Sequence, residues 1–242
     1  MTTCLLGILL LLSLLYFFCS PIFAEGERVV ERVKFGGDFY QLFHHNRERF
    51  ELKMYWRKSG KALETFSALR EHIKEQGKEL LFATNGGIFE PGYVPTGLYV
   101  ENGKELVALN LSAGKGNFFM KPNGVFFQNN NGAFIVEAAE YAQKEEAVTW
   151  ALQSGPLLVK DDHIHPKFGE KSKSTYIRSG IGVNKKGEVI IALSEKAINL
   201  WTFAKFWQSG LDCPNALYLD GGISQFYIPG QISFSRRRRY AG

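Results

Sequence analysis

Short apolar runs that end in turns rich in glycine or asparagine recur along most of this chain of 242 residues. The runs at residues 180–183 and 189–193, for example, are too short for helices, and a tight turn joins them, which favours an antiparallel hairpin. Helical spacing is found at residues 61–76, 140–152 and 200–209. The pattern therefore predicts a single α+β domain with a mixed, mostly antiparallel sheet and a few helices.

Individual elements are predicted from three kinds of signal. Apolar side chains at every second position from Phe50 to Trp56 indicate a strand with one face in water. The dipeptide Asn102-Gly103 indicates a hairpin, and Asn199 is expected to cap the last helix. Strands are predicted at residues 29–35, 38–44, 50–56, 80–84, 98–100, 106–109, 125–127, 157–159, 180–183, 189–193 and 216–219.

The N-terminus indicates export. Residues 5–18 carry no charge and are mostly apolar, and the first charged residue is Glu25, directly after the small residue Ala24. This pattern predicts a signal peptide at residues 1–24 and a mature domain at residues 25–242, in a periplasmic or secreted protein. An uncleaved membrane anchor is the alternative, but Pro21 breaks the apolar run at a length that is marginal for spanning a bilayer.

The charge balance argues against a nucleic-acid partner. The formal net charge is +5, from 29 Lys and Arg against 24 Asp and Glu, and four of the positive charges are Arg236, Arg237, Arg238 and Arg239. The rest of the chain is therefore almost neutral. The arginine run is interpreted as a solvated tail, with weak contact to an anionic envelope surface as the alternative.

Cys213 is the one cysteine that follows residue 24, so the predicted mature chain has no internal disulfide. No histidine–acid pair that could activate it as a nucleophile lies near it in the sequence. We therefore interpret Cys213 as a small buried hydrophobe.

Polar residues lie next to apolar strands at five of the turns. These are Asn85-Gly86-Gly87, Asn123-Gly124, Ser154-Gly155-Pro156, Arg178-Ser179-Gly180 and Asp220-Gly221-Gly222-Ile223-Ser224. Binding and catalytic residues are often found at strand ends, and glycine lets backbone N–H groups come close to an anion. One such turn is an ordinary strand exit, whereas the set of five points to a common binding site.

Five segments carry a family resemblance: TNGGIF, PNGVFF, QSGPLLV, IRSGIGV and ALYLDGGISQFY, which occur in this order between Leu80 and Tyr227. In order and spacing they resemble the phosphodiester glycosidase family, and SEKAIN, HPKF and CPNALYLDG are similar to its exported bacterial branch. The resemblance implies hydrolysis of a sugar-1-phosphodiester at the anomeric carbon, which yields a free sugar and a phosphomonoester. No cofactor is expected.

That reaction needs a carboxylate that activates water or attacks the anomeric carbon, where positive charge develops. Asp220 is the first candidate because it ends an apolar strand and the two glycines after it leave space beside it. Glu195, just past the strand at residues 189–193, is the second candidate. It is equally well placed to cap the approach to the next helix.

The phosphate already carries negative charge, so the implied reaction also needs a fixed cation and N–H donors. Arg178 and the glycine turns supply them. Asn85 and Asn123 are expected to bind sugar hydroxyls or phosphate, although asparagine before glycine is also a common turn. The full set of expected substrate-binding residues is Asn85, Gly86, Gly87, Asn123, Ser154, His165, Arg178, Gly221, Gly222 and Ser224.

His163 and His165 lie next to Asp161-Asp162 and raise the question of a metal site. Alternate residues of a strand share one face, so the two histidines could bind one ion. The sequence offers no third ligand nearby, so an exposed hairpin is the preferred interpretation and no metal is expected. His165 is kept as a substrate contact.

Two other functions remain open at this point. The runner-up is a non-catalytic module that binds a phosphorylated cell-envelope glycan through the same turns. The third is a metal-dependent phosphodiesterase, which needs a cluster of His and Asp ligands. A carboxylate that faces the cleft between the glycine turns favours the glycosidase over the binding module.

The predicted signal peptide can be tested directly. We expect the exported protein to begin at or near Glu25, because cleavage follows a small residue at the end of the apolar run. N-terminal sequencing of the exported protein measures this. Recovery of a membrane fraction that still begins with Met1 would favour the anchor instead.

Overall fold

Two antiparallel sheets, packed against each other, form the body of the protein in a computed structural model that describes residues 29–230. The predicted signal peptide and the arginine run at residues 236–239 lie outside the described residues. Within residues 29–230, strands outnumber helices and every strand pair is antiparallel, which confirms the predicted α+β class. No helix in this range is long and apolar enough to cross a membrane.

The described elements follow one another along the chain as eighteen strands and three α-helices. They are β1 (Glu31–Phe35), β2 (Asp38–His44), β3 (Arg57–Lys58), β4 (Lys61–Ala62), α1 (Phe66–Glu75), β5 (Ala83–Thr84), β6 (Phe89–Glu90), β7 (Val94–Pro95), β8 (Tyr99–Glu101), β9 (Lys104–Val107), β10 (Gly124–Asn129), β11 (Gly132–Glu137), α2 (Ala138–Tyr141), β12 (Trp150–Ser154), β13 (Leu157–Lys160), β14 (His163–Ile164), β15 (Ser179–Val183), β16 (Val189–Ser194), α3 (Leu200–Lys205), β17 (Asn215–Tyr218) and β18 (Phe226–Tyr227). A π-helical turn, Phe206–Gly210, continues α3.

The larger sheet has seven strands in the order β1-β2-β16-β15-β17-β13-β14, and the smaller has five in the order β11-β10-β12-β8-β9. In the larger sheet, β15 lies between β16 and β17, so Gly180 is opposite both Ala192 and Tyr218. The short strands β5 and β18 pair separately. This arrangement brings residues that follow Thr84 next to residues that precede Phe226.

The core lies on both faces of the larger sheet because side chains alternate along each strand. On one face, Ile181 and Leu217 pack with Phe126 and Leu152 of the smaller sheet. The other face is covered by α3 and the π-helical turn, where Trp207 is fully buried. A β-carbon on Gly182 would lie 2.5 Å from the Trp207 ring, so this strand position requires glycine.

The predicted strand at residues 50–56 is wrong. Residues 51–56 have no regular secondary structure, although Leu52 and Met54 are half-buried and Trp56 is buried. Lys53 and Tyr55, which the pattern placed on the face in water, are half-buried as well. Alternation of apolar residues does not require a partner strand, so the periodicity predicted both the strand pairing and the exposed face wrongly.

Two helix predictions also need correction. The helix predicted at residues 140–152 is replaced by the short α2 and by β12, whose side chains are all buried between neighbouring strands. Trp150, Ala151 and Leu152 form a short apolar run that is buried throughout, and the spacing of such a run does not distinguish helix from strand. The helix predicted from residue 61 begins at Phe66, because Lys61 and Ala62 pair with Arg57 and Lys58 and Thr65 provides the cap.

Asn199 caps α3 as predicted: its Oδ1 accepts a hydrogen bond of 2.8 Å from the Thr202 N–H. Its Nδ2 also donates to the carbonyl oxygens of Glu170 and Ser172, at 2.8 and 3.2 Å. By contrast, Thr65 accepts only the Ala68 N–H through its side chain at the start of α1.

We therefore expect Asn199→Ala to lower the free energy of unfolding by at least about 1–2 kcal/mol, and by more than Thr65→Ala does. The reason is that Asn199 joins a helix terminus to a loop, whereas Thr65 acts only within its own helix. Urea unfolding of both variants measures the difference. Equal losses would mean that the two side-chain bonds to the loop contribute nothing measurable.

Candidate active site

The turns after β5 and β17 are hydrogen-bonded to each other. The Asn85 side chain is buried, its Nδ2 donates to the Asp220 carbonyl at 3.0 Å, and its Oδ1 accepts the Gln225 N–H at 3.1 Å. In return, the Asp220 N–H donates to the Gly86 carbonyl at 3.3 Å. Pairing of β5 with β18 thus brings together two turns that lie 135 residues apart along the chain.

Two serines complete the support beneath this pair of turns. The Ser224 hydroxyl donates to the Asp220 carbonyl at 3.0 Å, and it also lies 3.0 Å from the hydroxyl of Ser179, which is fully buried. The Ser179 carbonyl accepts the Leu219 N–H. The backbone of Asp220 is therefore held by Asn85 and Ser224 at the same time, which leaves its carboxyl group free of structural bonds to other side chains in the described range.

The Asp220 carboxyl group is half-buried, and its loss of hydration raises its pKa above the ordinary value of an aspartate. The Gly222 N–H, 2.9 Å from Oδ1, acts in the opposite direction because it stabilises the charged form, but its effect is the smaller one. A raised pKa makes the carboxylate a stronger base than a hydrated one. Asp220 thus has the properties expected of a catalytic carboxylate.

The Arg178 guanidinium is buried, with 1% of the residue exposed. It donates to the Ile198 carbonyl at 2.7 Å, to the Ser174 carbonyl at 2.9 Å and to the Tyr218 hydroxyl at 2.9 Å. All three acceptors are neutral, and within residues 29–230 no carboxylate forms an ion pair with this side chain. The site therefore contains a buried cation whose charge is not balanced by the described protein.

Tyr218 connects this cation to the turn that contains Asp220. A β-carbon on Gly221 would lie 1.5 Å from the Tyr218 hydroxyl oxygen, which is the atom that accepts the Arg178 bond. The backbone of the turn therefore lies directly against that hydroxyl. Only glycine fits at position 221 in this arrangement.

The turns at Gly87, Ser154 and Asn123 adjoin one another in the same way. A β-carbon on Gly87 would lie 3.3 Å from Cβ of Ser154, and one on Gly155 would lie 2.8 Å from Cβ of Asn123. The Asn123 Nδ2 donates to the Phe118 carbonyl at 2.9 Å. The buried Ser154 hydroxyl has no hydrogen-bond partner among the described atoms.

His163 and His165 differ in environment. His163 is exposed in the β13–β14 hairpin, as the preferred interpretation predicted, and His165 is buried and stacked on Phe168. Burial lowers the pKa of His165, so the ring is neutral at pH 7. The described residues contain no group of three or more His, Cys, Asp or Glu side chains arranged to hold a metal ion.

Glu195 makes its contacts elsewhere. Its carboxylate forms two hydrogen bonds of 2.8 Å to Arg32 of β1, and these bonds lower its pKa below the usual value of a glutamate. The residue before it, Ser194, is connected to Arg178: the Ser194 hydroxyl accepts a hydrogen bond of 2.9 Å from the backbone N–H of Arg178. Hydrogen bonds thus connect Asn85 with Asp220, and the Tyr218 hydroxyl that accepts from Arg178 lies against Gly221, whereas the Glu195 side chain is bound to a different strand.

The sequence analysis missed two residues of this network, Ser179 and Tyr218. Ser179 lies inside one of the predicted turns, so its position was a usable signal. Tyr218 is a buried aromatic within an apolar strand, and nothing in its sequence context indicates that its hydroxyl joins a cation to a glycine turn.

Comparison with known proteins gives two sequence matches. The model of the family described as phosphodiester glycosidase matches residues 78–238. A protein of Escherichia coli K12, the uncharacterized protein YigE, is 40% identical over 191 residues, which is 78% of this chain and 74% of that protein.

Solved structures share the fold at much lower identity. The catalytic domain of zebrafish N-acetylglucosamine-1-phosphodiester alpha-N-acetylglucosaminidase, auto-inhibited by its pro-peptide, superposes with a TM-score of 0.60 at 17% identity, over 90% of this chain and 80% of that one. A putative exported protein of Burkholderia pseudomallei superposes with a TM-score of 0.55 at 11% identity, over 85% and 73% of the two chains.

Proposed function

This chain belongs to the phosphodiester glycosidase family, and we propose that it hydrolyses a sugar-1-phosphodiester at the anomeric carbon outside the cytoplasm. The C1–O bond to the phosphate breaks, the oxygen of water ends on C1, and the aglycone leaves as a phosphomonoester. Family membership and the zebrafish enzyme that shares the fold support the reaction class. The apolar N-terminal run and the exported Burkholderia protein support the location.

One observation carries the proposal. Arg178 is a buried cation without a carboxylate partner in the described chain. The hydroxyl of Tyr218 lies between it and the turn that contains Asp220, and the pKa of the Asp220 carboxyl group is raised. A phosphodiester brings the negative charge that such a cation lacks. The carboxyl group supplies the base that the anomeric carbon or its attacking water requires.

We assign the catalytic role to Asp220. Its carboxylate faces the positive charge that develops at the anomeric carbon, as a base on water or as the attacking group. The leaving phosphate is already an anion and a weak base, so its departure depends on charge stabilisation more than on a proton donor. Arg178 and the backbone N–H groups of Gly86, Gly87 and Gly221 are proposed to provide that stabilisation, whereas the Gly222 N–H is bonded to Asp220.

The other residues position the substrate. Asn85 and Ser224 hold the Asp220 backbone and contribute to the wall of the site. Asn123 and Ser154 belong to turns that adjoin Gly87, and together with His165 they are proposed to contact the sugar or phosphate. Glu195 is a weaker base than Asp220 because Arg32 stabilises its charged form, so we give it a supporting role.

The catalytic assignment is tested by Asp220→Asn, which keeps the size of the side chain and removes its charge. We expect turnover to fall by at least roughly 10², with little change in substrate binding. Release of free sugar from a sugar-1-phosphodiester measures it. Glu195→Gln is the matched control and should lose much less, because its charge is already paired with Arg32.

The stability of the same variant separates catalysis from structure. The pKa of Asp220 is higher in the folded protein than in the unfolded chain, so the folded protein binds the proton more tightly. The folded protein therefore loses stability as the pH rises from the unfolded-state pKa through the folded-state pKa. At pH 7, Asp220→Asn should therefore melt at the same or a higher temperature than the parent protein. Normal turnover would eliminate Asp220 as the catalytic group, and inactivity with a lower melting temperature would make Asp220 structural.

The phosphate-binding role of Arg178 is tested by Arg178→Met and Arg178→Lys. The first removes the charge and keeps most of the stem, and the second keeps the charge. We expect Arg178→Met to weaken binding of a phosphodiester by about 10- to 150-fold, the loss expected for a charge-assisted hydrogen bond, with a smaller loss for Arg178→Lys.

A neutral glycoside of the same sugar provides the reference substrate for both variants, and it should be affected much less. Melting temperatures are compared in parallel, since Arg178 also bonds to two backbone carbonyls. Equal losses on the charged and neutral substrates would assign Arg178 to the scaffold alone.

A further inference from the structure

A cavity of about 400 Å³ adjoins the Asn85-Gly86-Gly87 turn, and these three residues form part of its wall. Its volume falls within the range of about 300–1,000 Å³ that is usual for ligand pockets. Gaps in well-packed cores are rarely larger than a water molecule, so this space is not an ordinary packing defect.

Apolar side chains from three parts of the fold line the cavity. The smaller sheet contributes Phe126 and Leu152, and the larger sheet contributes Ile181 and Leu219. The opposite side is formed by α1 and by the irregular segment at residues 50–55, including Leu52. This segment is unpaired, and its half-buried side chains Leu52 and Met54 pack against the same core cluster as Phe126 and Leu152, so they form one side of the cavity.

One acidic side chain at the cavity is paired with two lysines, and a histidine beside it is uncharged. Glu51 bonds to both Lys53 and Lys78 at 2.7 Å. His45 is held by the Phe50 carbonyl at 2.9 Å, and its burial lowers its pKa, so it is uncharged at pH 7. The cavity therefore suits an apolar occupant better than a charged or strongly hydrated one.

The cavity and the candidate active site share a thin partition. Leu219 lines the cavity and directly precedes Asp220, while the Gly86 carbonyl accepts the Asp220 N–H. Gly86 and Gly87 have no side chains, so the wall between the apolar space and the Asp220 turn is one layer of backbone. For a group bound at the turn, the nearest apolar surface is therefore the one next to these two glycines.

We propose that the cavity receives an apolar chain of the aglycone, so that the substrates are sugar-1-phosphodiesters of lipid-like alcohols. A phosphodiester has two arms: the sugar faces Asp220, and the second arm leads away from the phosphate into the cavity. The inference rests on the proposed function for the identity of the headgroup. It adds the chemical class of the aglycone.

The products of that reaction supply the probes, because hydrolysis leaves the aglycone as an alkyl phosphate. We expect octyl phosphate to bind the purified protein at least about 50-fold more tightly than ethyl phosphate, since each buried CH₂ group strengthens binding roughly fourfold. Isothermal titration calorimetry with each compound, below its aggregation concentration, measures the ratio. Octanol without phosphate should bind much more weakly than octyl phosphate.

Cavity-filling variants locate the chain. Leu52→Trp and Leu69→Trp each place an indole in the cavity wall, one on the irregular segment and one on α1. Both should remove most of the advantage of octyl phosphate while leaving ethyl phosphate binding intact. Leu106→Trp is the matched control: it lies on β9, is 41% exposed and does not line the cavity, so the advantage should persist.

The outcomes are distinct from those of the hydrolysis experiment, because binding of a product analogue needs no turnover. Equal affinities for octyl and ethyl phosphate in the parent protein would overturn the inference. So would an unchanged advantage in both cavity variants, which would place the chain on another surface. Octanol binding as tight as octyl phosphate would overturn the link between cavity and phosphate.

Discussion

The burial of the Arg178 guanidinium is the interaction on which the candidate site depends. A cation removed from water is costly unless the protein replaces its hydration. Here the replacement comes from Ser174 and Ile198 in two loops and from Tyr218 in β17. Satisfying one buried charge therefore fixes the loop before β15, the approach to α3 and the end of β17 relative to one another.

The same arrangement keeps the cation and the carboxyl group apart. A direct Arg178–Asp220 pair would lower the pKa of Asp220 and neutralise both groups. Instead, the Tyr218 hydroxyl lies between the cation and the turn, and burial of Asp220 is the main cause of its raised pKa. The proposed roles need this separation, because cleavage of a sugar phosphate requires a cation for the anion and a basic carboxylate.

Much of this fold is predictable from local signals, and the exceptions have physical causes. The hairpin of β15 and β16 and the cap at Asn199 depend on residues close in sequence, so pattern was sufficient. Residues 50–56 failed because strand pairing depends on a partner elsewhere in the chain. The Arg32–Glu195 ion pair is of the same kind, since 163 residues separate its members and no local pattern connects them.

The candidate site was predictable to a similar degree. Asn85, Arg178 and Asp220 were identified as strand-end residues, but their connection depends on the Tyr218 hydroxyl and on pairing between the short strands β5 and β18. Two-residue strands carry almost no periodic signal. Their pairing is specified instead by the Asn85 side chain, which bonds to both Asp220 and Gln225 and so acts as part of the ladder.

Some of the residues predicted to bind substrate contain buried polar groups without partners. The Ser154 hydroxyl and the His165 Nε2 are buried without a hydrogen-bond partner among the described atoms, and Asp220 is partly desolvated. Each such group lowers stability, because a buried donor or acceptor loses its bonds to water. A ligand with hydroxyl and phosphate oxygens can supply bonds to these groups together with the counter-charge for Arg178. The features that make the free protein less stable are therefore ones that the proposed sugar-phosphate substrate would stabilise.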